Sequence, residues 1–253
     1  MDDDRAPEGV VRVRADNPSP FTLDGTNTYV VDDGWVIDPG PADESHVRAV
    51  IAAAGGTVAG IVLTHDHPDH AEGAPLLAER AGGVPVLRPG GGEVVGPFEA
   101  IATPGHAPDH VALRRGRVLF AGDTVLGAGS VFIAPGGDSL RLYLDSLARL
   151  RELDIDVIAP GHGPFVWNPR AKLDEYRDHR LERERRVIEA LDGGARTRDE
   201  LLDTAWSDVP FDEVPQLRLA ASVTLDAHLE KLRGEGRLPP DLNVEGGYEG
   251  LGG

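Results

Sequence analysis

The sequence predicts an α/β fold in which helices cover stacked β-sheets, followed by a separate helical region. Short apolar runs alternate with segments of helical spacing over most of the chain, a pattern typical of layered α/β architecture. Residues of the types that bind metals directly follow several of these runs. From residue 171 the chain changes to long, highly charged helical segments.

Each predicted element depends on a local pattern. Residues 28–31 and 35–37 predict two strands that a turn at Asp33 would join as a hairpin. Further apolar runs predict strands at 59–63, 84–87, 98–101, 110–113 and 155–159. Apolar residues three or four positions apart predict helices at 42–54, 74–81 and 139–150.

Composition divides the chain into four predicted regions. Residues 1–16 form an acidic mobile tail and lead-in, and 17–170 form the body that carries every metal-ligand pattern. Residues 171–240 form the helical region, and 241–253 form a Gly-rich flexible tail. A length of 253 residues allows one large domain or two.

Composition also limits the classes of function. The chain has no cysteine, which excludes disulfides and a thiol nucleophile. The longest apolar stretch, 49–63, contains three glycines and is too short for a membrane span, so we expect a cytoplasmic protein without membrane association. A net charge of −18 disfavours broad attraction to polyanions such as RNA, although bound metal ions would reverse that field locally.

The densest chemical signal is the run from Thr64 to His70, which contains three histidines and two aspartates directly after an apolar run. Imidazole and carboxylate are the ligands that zinc prefers when thiolate is absent. Three further signals follow apolar runs or Gly-containing turns, at His106, Asp123 and His162. Five of the nine histidines therefore lie in ligand-like contexts, which predicts a metal site for two ions.

This order of motifs resembles the metallo-β-lactamase superfamily, whose signature is His-x-His-x-Asp-His, then a distant His, an Asp and a final His. The resemblance implies an αββα sandwich with the metals at one edge. It also implies one ligand set for each of two ions, with a bridging Asp123: His65, His67 and His106 for the first ion, and Asp69, His70 and His162 for the second.

The remaining histidines and one aspartate are interpreted differently. His46, His179 and His228 lie in charge-rich helical stretches, so we expect them to be solvated. His110 follows a ligand closely, and we expect it to orient other groups or to be structural. Asp38 follows a strand as the ligands do, but the resemblance implies a structural acid near the metal loop, outside the metal set.

The C-terminal region resembles the winged-helix appendage of the β-lactamase-like protein 2 family. Its pattern predicts helices at 171–191 and 214–233, a capping box from Thr197 to Glu200 that opens a helix between them, and a short strand or wing at 234–238. Residues 171–240 contain 12 Lys or Arg against 16 Asp or Glu, so we expect no binding to duplex DNA.

The chemistry that these motifs predict is hydrolysis. Two zinc ions, with manganese or iron as alternatives, would share a water and lower its pKa until hydroxide forms near neutral pH. Asp123 would bridge the ions, and Asp69 would bind the second ion and orient the hydroxide. The expected substrate is a thioester or related ester, on a small molecule or an acyl carrier.

Two alternatives are also compatible with the sequence. The β-lactamase-like protein 2 family also contains single-strand endoribonucleases, which makes RNA an alternative substrate. A winged-helix binding protein without catalysis is the second alternative, although all seven ligand positions are filled. A homo-oligomer is compatible with the sequence.

Overall fold

Two β-sheets form the centre of the fold in the computed structural model, which describes residues 5–31, 34–211, 216–240 and 242. The first sheet has the strand order β1-β2-β3-β4-β5, and the second has the order β10-β9-β8-β7-β6. The first contains β1 (Val10–Arg14), β2 (Asn27–Val31), β3 (Trp35–Ile37), β4 (Gly60–Val62) and β5 (Val86–Leu87). The second contains β6 (Val94–Val95), β7 (Phe98–Ala102), β8 (Val111–Arg115), β9 (Val118–Gly122) and β10 (Val157–Pro160).

Both sheets are mixed. In the first sheet, β2 pairs antiparallel with both β1 and β3. Strand β4 then pairs parallel with both β3 and β5. In the second, only the pair of β9 with β10 is parallel. The parallel neighbours β3 and β4 are joined through a helix, and so are β9 and β10, as parallel pairing requires.

Helices cover the outer faces and then continue into a C-terminal module. Within the described residues they are α1 (Glu44–Ala53), α2 (Pro68–Ala71), α3 (Ala74–Arg80), α4 (Ser139–Arg151), α5 (Pro169–Asp192), α6 (Arg198–Ala205) and α7 (Gln216–Gly234). Asp43 caps α1, and Thr197 and Glu200 form the predicted capping box at the start of α6.

Side-chain alternation along the strands produces two of the hydrophobic layers. Along β2, Tyr29 and Val31 pack between the sheets, whereas Val30 packs on the outer face against α1 and α3. The second sheet repeats this arrangement, with Phe120 in the inner layer and Leu119 in the outer layer beneath α4 and α5. The predicted arrangement of stacked sheets between outer helices is therefore confirmed, and the structure adds that both sheets are mixed.

Helix α5 belongs to both parts of the molecule. Leu173 and Tyr176 in its first half pack in the core of the sandwich, and Val187 and Leu191 in its second half pack against α6 and α7. The expected boundary between 170 and 171 thus falls within one continuous helix. The first half covers the sandwich, and the second half begins the C-terminal helical module.

The described part of the C-terminal module contains the predicted helices but not the predicted strand or wing. Its three helices form as expected, but within the described residues 234–238 form the end of α7 and a turn, not a strand. Parts of several predictions lie outside the described residues, namely 1–4, the turn at 32–33, 212–215, 241 and 243–253. No helix of the described chain combines the length and apolar composition needed to cross a membrane.

Candidate metal centre

The candidate ligands come from loops that follow four strands at one edge of the sandwich. The loop after β4 supplies His65 and its neighbours, and those after β7, β9 and β10 supply His106, Asp123 and His162. Because a loop side chain is not held in the alternation of a strand, all of these groups can turn toward one point. The structure brings all seven predicted residues into one cluster.

The first group of ligand atoms consists of His65, His67 and His106, whose nitrogens lie within 4.8 Å of one another. The Nε2 atom of His106 lies 3.0 Å from Nδ1 of His67. Nε2 of His65 is buried and has no hydrogen-bond partner within the described chain. A buried nitrogen without a partner is costly, and a metal ion would satisfy it.

The second group consists of Asp69, His70 and His162. Nε2 of His70 and Nε2 of His162 are 3.3 Å apart. Oδ2 of Asp69 lies 3.2 Å from Nε2 of His162 and 3.5 Å from Nε2 of His70. Helix α2, which begins at Pro68, places Asp69 and His70 side by side and so contributes two ligands from one turn.

Asp123 extends between the two groups. Its Oδ1 atom lies 3.3 Å from Nε2 of His70 and 3.4 Å from Nε2 of His162. Its other oxygen, Oδ2, lies 3.5 Å from Nε2 of His106 in the first group. One carboxylate therefore offers one oxygen to each group of ligands.

These separations test whether the residues fit metal ions. Ligands about 2.0–2.1 Å from a tetrahedral zinc ion lie about 3.3–3.4 Å from one another. The distances between ligand atoms quoted above run from 3.0 to 3.5 Å. Nitrogen and carboxylate oxygen in this arrangement are compatible with a binuclear site for divalent ions.

Asp38 orients the metal loop. Its carboxylate accepts hydrogen bonds from Thr64 N at 2.8 Å, from Thr64 Oγ1 at 2.7 Å and from His70 Nδ1 at 2.9 Å. The last bond leaves Nε2 of His70 to face the other ligands. Asp38 lies near His65 and His70, and these contacts show a carboxylate that orients its neighbours, which agrees with the structural acid that the resemblance implies. The backbone of Asp38 has a left-handed conformation, with φ of 48°. Strained conformations of this kind are concentrated at functional sites.

His110 orients Asp123 through the backbone. Its Nε2 atom accepts a hydrogen bond from Asp123 N at 3.1 Å, so in the neutral ring Nδ1 carries the proton. That Nδ1 atom donates to Thr103 Oγ1 at 2.8 Å. Burial lowers the pKa of His110 well below its ordinary value, which keeps the ring neutral. His110 therefore has the orienting role expected from its sequence position.

A glycine makes room for the carboxylate of Asp123. A Cβ atom at Gly161 would lie 2.4 Å from Oδ1 of Asp123 and 2.6 Å from Cε1 of His70. Neither group could move away without leaving the ligand cluster. A side chain is therefore excluded at this position, directly before His162.

The electrostatics of the cluster follow from the balance between burial and three carboxylates, those of Asp38, Asp69 and Asp123. Burial opposes a charge on His70, but Asp123 and Asp38 outweigh it and hold the pKa of His70 well above its ordinary value. Burial also opposes a charge on His162, yet Asp123 and Asp69 raise the pKa of His162 to about 9. For His65, burial dominates and lowers the pKa well below its ordinary value. The carboxylates thus attract positive charge, which protons and metal ions both supply.

Sequence comparison identifies the family. The model of the metallo-β-lactamase superfamily matches residues 21–99 and 82–162, which together span more than half of the chain and include all seven ligand candidates. The chain belongs to the metallo-β-lactamase superfamily. It is a metal-dependent hydrolase of that superfamily, as the sequence analysis predicts.

Individual relatives refine this assignment. A β-lactamase-like protein 2 homolog of Caenorhabditis elegans is 31% identical, with 90% of this chain and 85% of the relative covered. An atrochrysone carboxyl ACP thioesterase of Aspergillus chevalieri is 34% identical, with coverage of 80% and 75%. Among solved structures, a metallo-β-lactamase family protein of Thermus thermophilus aligns with a TM-score of 0.69 at 25% identity, covering 90% of this chain and 94% of that one.

Two of the histidine predictions are wrong. His46 is buried, and its Nε2 atom lies 2.8 Å from Thr28 Oγ1. His228 is fully buried in the C-terminal module, and His179 is only partly exposed. Each lies on a helix whose charged neighbours suggested solvent, but exposure is set by the helix face that packs and not by local composition.

The structure also adds one group that the sequence analysis missed. The backbone oxygen of Phe132 accepts a hydrogen bond from Nδ1 of His106 at 2.8 Å, which leaves Nε2 of His106 for the metal cluster. A backbone carbonyl is present in every residue, so no sequence signal could have pointed to it.

Proposed function

We propose that this hydrolase binds two divalent ions and cleaves thioesters or related esters. The observation that carries the proposal is the Asp123 carboxylate, with one oxygen facing each ligand group. When bound, two such ions supply a water of near-neutral pKa and polarise the carbonyl of the substrate. Zinc is the proposed metal, with manganese or iron as alternatives for a site of nitrogen and oxygen ligands.

The residues of the chain position the metal ligands and the attacking water. Asp123 holds the two ligand groups at a fixed separation, and His110 fixes the backbone of Asp123 through its amide. Asp69 is the most accessible carboxylate of the cluster, with 29% of its side chain exposed, so it is placed to orient an attacking water from the open side. Asp38 keeps the ring of His70 turned toward the cluster.

Apolar groups beside the cluster favour an acyl substrate. The ring of Phe132, whose carbonyl holds His106, meets the ring of Phe21 edge to face at a centroid distance of 6.1 Å. Phe21 is 58% exposed, and together with the ring of Phe132 it offers apolar surface for contact with a ligand. The similarity to an acyl carrier thioesterase supports the same substrate class.

The leaving group is consistent with this choice. Among the described residues of the cluster, the titratable groups are carboxylates and imidazoles that face one another as metal ligands. The site therefore suits a leaving group that does not need to be protonated. A thiolate leaves without protonation, because the pKa of a thiol is about 8.5, far below that of an alcohol. The endoribonuclease alternative remains a prediction. The overall charge of −18 disfavours it.

The C-terminal module is proposed to shape the entrance to the metal cluster. The loop that contains Phe132 is held by α5, the helix that leads from the sandwich into the module: Arg180 donates to Val131 O, and Tyr176 OH donates to Gly129 O at 2.9 Å. It is also held by α7, where Glu230 accepts from Gly136 N at 2.7 Å. We expect Glu230→Gln to raise KM severalfold with little change in kcat. A change confined to kcat would contradict this role.

Metal content is the first test. Elemental analysis of the purified, metal-saturated chain is expected to give about two equivalents of a divalent ion. Asp69→Ala is expected to retain about one, because the first group of ligands stays intact. An upper limit of one equivalent, unchanged in Asp69→Ala, would rule out the binuclear model.

A substrate panel is the second test. Acyl thioesters, phosphodiesters and single-stranded RNA would be assayed with the same metal-loaded preparation. Turnover is expected for thioesters carrying apolar acyl groups, and Phe21→Ala should raise KM for long acyl chains more than for acetyl. Val94→Ala is the matched control, because Val94 is 76% exposed on the outlying strand β6. Cleavage of RNA alone would replace the thioester proposal by the endoribonuclease alternative.

A further inference from the structure

The ring of His162 is held less tightly than two other rings of the metal cluster. Nδ1 of His70 donates to Asp38 at 2.9 Å, and Nδ1 of His106 donates to the carbonyl of Phe132 at 2.8 Å. Nδ1 of His162 donates to the carbonyl of residue 25 at 3.4 Å, which is longer than the usual N–H···O distance. The position of His162 therefore depends mainly on the backbone that carries it.

That backbone has glycine on both sides of the ligand. Gly161 cannot carry a side chain, because a Cβ atom there would lie 2.4 Å from Oδ1 of Asp123. Gly163 has a left-handed backbone, with φ of 82°. Glycine has the largest conformational freedom of all residues, so a Gly-His-Gly turn loses the most entropy when it is fixed. Contacts from elsewhere in the fold have to fix His162.

Asn27 supplies these contacts. It is the first residue of β2, in the first sheet, and only 1% of it is exposed. Its Nδ2 atom donates to Pro160 O at 3.0 Å and to Gly163 O at 2.8 Å. Its backbone nitrogen donates to Gly161 O at 2.7 Å. One residue of the first sheet thus binds carbonyls on both sides of His162, at the end of β10 in the second sheet.

The remaining carbonyl of this turn is also bonded. His162 O accepts from Gly127 N at 2.9 Å, so each carbonyl from residue 160 to residue 163 has a donor. Thr26, directly before Asn27, forms an isolated antiparallel bridge with His162. The two sheets are therefore joined at the edge where the metal ligands lie, and Asn27 provides three of the bonds that join them.

The side-chain amide is suited to this position by its chemistry. It presents two N–H donors in one plane without a charge, whereas serine presents one donor and aspartate presents acceptors. The oxygen Oδ1 of Asn27 is buried and has no hydrogen-bond partner within the described chain. A buried acceptor without a partner costs free energy, so the contribution of Asn27 comes from its two donors.

We propose that Asn27 is a positioning residue for His162 and so keeps the second group of metal ligands in shape. The inference rests on the proposed function, because it concerns the ion that this group would bind. Asn27 acts only through the backbone of residues 160–163. Without its link between two carbonyls, His162 can withdraw from Asp69 and His70. The first group is supplied by the loops after β4 and β7 and keeps its geometry.

The variant that tests the link is Asn27→Ala. Pro160 O keeps Tyr29 OH as a donor at 2.8 Å, and Gly163 O keeps Arg12 at 3.3 Å. Neither carbonyl loses its last donor, so we expect the variant to fold. Asn27→Ser retains one donor and is the milder variant in case Asn27→Ala does not fold. The matched control is Tyr29→Phe, which removes the other buried donor to Pro160 O but leaves both bonds of Asn27.

The first measurement is the affinity for each of two zinc ions, by competition with a chelator. Asn27→Ala should lower the affinity for one ion about 10- to 100-fold and leave the other unchanged, and Tyr29→Phe should change neither. In Asp69→Ala, which is expected to retain one ion, adding Asn27→Ala should not change the affinity for that ion. Unchanged affinity for both ions in Asn27→Ala, or an equal loss for both, would overturn the inference.

Melting temperatures separate positioning from a purely structural role. Loss of a structural bond lowers the melting temperature of the metal-free and the zinc-saturated protein by the same amount, as we expect for Tyr29→Phe. Loss of positioning reduces the increase that zinc produces, because weaker binding stabilises the folded state less. We expect this reduced increase in Asn27→Ala. An increase equal to that of the unmodified chain would assign Asn27 a structural role only.

Hydrogen exchange of the metal-free protein tests the inference independently of the proposed function. If the unmodified chain binds at most one ion, the proposed function is wrong, but the bond from Gly127 N to His162 O still reports the position of His162. Exchange of the Gly127 amide should be about tenfold faster in Asn27→Ala, with no change in Tyr29→Phe. The same exchange rate in Asn27→Ala and the unmodified chain would show that Asn27 does not fix His162.

Discussion

The metal cluster and the C-terminal module both bury charged side chains, but they compensate them in different ways. In the module the charges form pairs of opposite sign. Arg183 contacts Asp208 at 2.6 Å, and Glu184 contacts Lys231 at 2.8 Å. In the metal cluster, the nitrogens nearest to the carboxylates of Asp69 and Asp123 belong to imidazole rings. Nitrogens of neighbouring imidazole rings lie 3.0–3.3 Å apart.

The difference separates a structural arrangement from a functional one. A pair of opposite charges is complete without further groups, and its contribution is to stability. A set of imidazoles and carboxylates directed at common points is complete only when positive charge is added. Substitutions in the metal cluster should therefore change activity and metal binding. Substitutions in the C-terminal module should change the free energy of unfolding.

The largest effect is expected from Asp123→Ala. The substitution removes the oxygen offered to each ligand group, and with it the charge that allows two cations to lie close together. We expect kcat/KM to fall at least about a hundredfold, comparable with the loss of a major electrostatic stabiliser. Circular dichroism should show an intact fold.

The control for this prediction is Asp154→Ala, which removes an exposed carboxylate whose partner is Arg117. Its kcat/KM should equal that of the unmodified chain. Full activity of Asp123→Ala on the substrate that the panel identifies would show that the chemistry takes place elsewhere.

A smaller effect is expected from Asp38→Asn, which acts through His70. Asparagine tolerates the left-handed backbone of Asp38, but its amide would present a donor to Nδ1–H of His70 in place of an acceptor. We expect metal affinity to fall about 10- to 100-fold, the usual range for a group that orients a ligand. Competition with a chelator measures that affinity. An unchanged value would mean that Asp38 does not position His70.

A substitution in the C-terminal module should change stability but not metal affinity. Burial disfavours the charged form of Glu184, but His228 and Lys231 outweigh burial and lower the pKa of Glu184 to about 2. Since this pKa is below the ordinary value of 4.5, the contribution of Glu184 is present above about pH 4.5. It is lost as the pH falls from 4.5 toward 2.

Glu184→Gln should therefore lower the free energy of unfolding by about 2 kcal/mol at pH 7, less than for a fully buried pair because Lys231 keeps Glu235 as a partner. The difference should shrink as the pH falls below about 4.5, and the two proteins should converge below about pH 2. Glu182→Gln is the control, because Glu182 is more exposed and solvent screens its pairs with Arg185 and Arg186. Denaturant unfolding at several pH values measures both, and a constant difference down to about pH 2 would contradict the assignment.

The sequence predicts most of the sandwich and the composition of the metal cluster because both depend on local patterns. Strands with alternating or continuous apolar residues, and ligands immediately after them, can be identified one segment at a time. The role of Phe132 and the burial of His46 depend on packing between segments that are distant in sequence, and so does the division of α5 between two cores. The short strand or wing expected at 234–238 depended on a five-residue segment with two glycines, in which no alternation of apolar and polar residues supports a strand.

The smallest effect is expected in the binding of duplex DNA. This measurement tests whether the cations of the module are available to a polyanion. Arg218 on α7 contacts Asp199 and Asp203 at 2.9 and 2.8 Å, and Lys231 contacts Glu184 and Glu235. Binding to phosphates would have to break these pairs in a region with 12 basic against 16 acidic residues. We expect the full chain to bind a labelled duplex no more tightly than about 10⁻⁴ M at physiological salt, the weak end of non-specific binding. Fluorescence anisotropy measures this affinity, and a submicromolar Kd with a steep salt dependence would show that the pairs open and that the module is a binding surface.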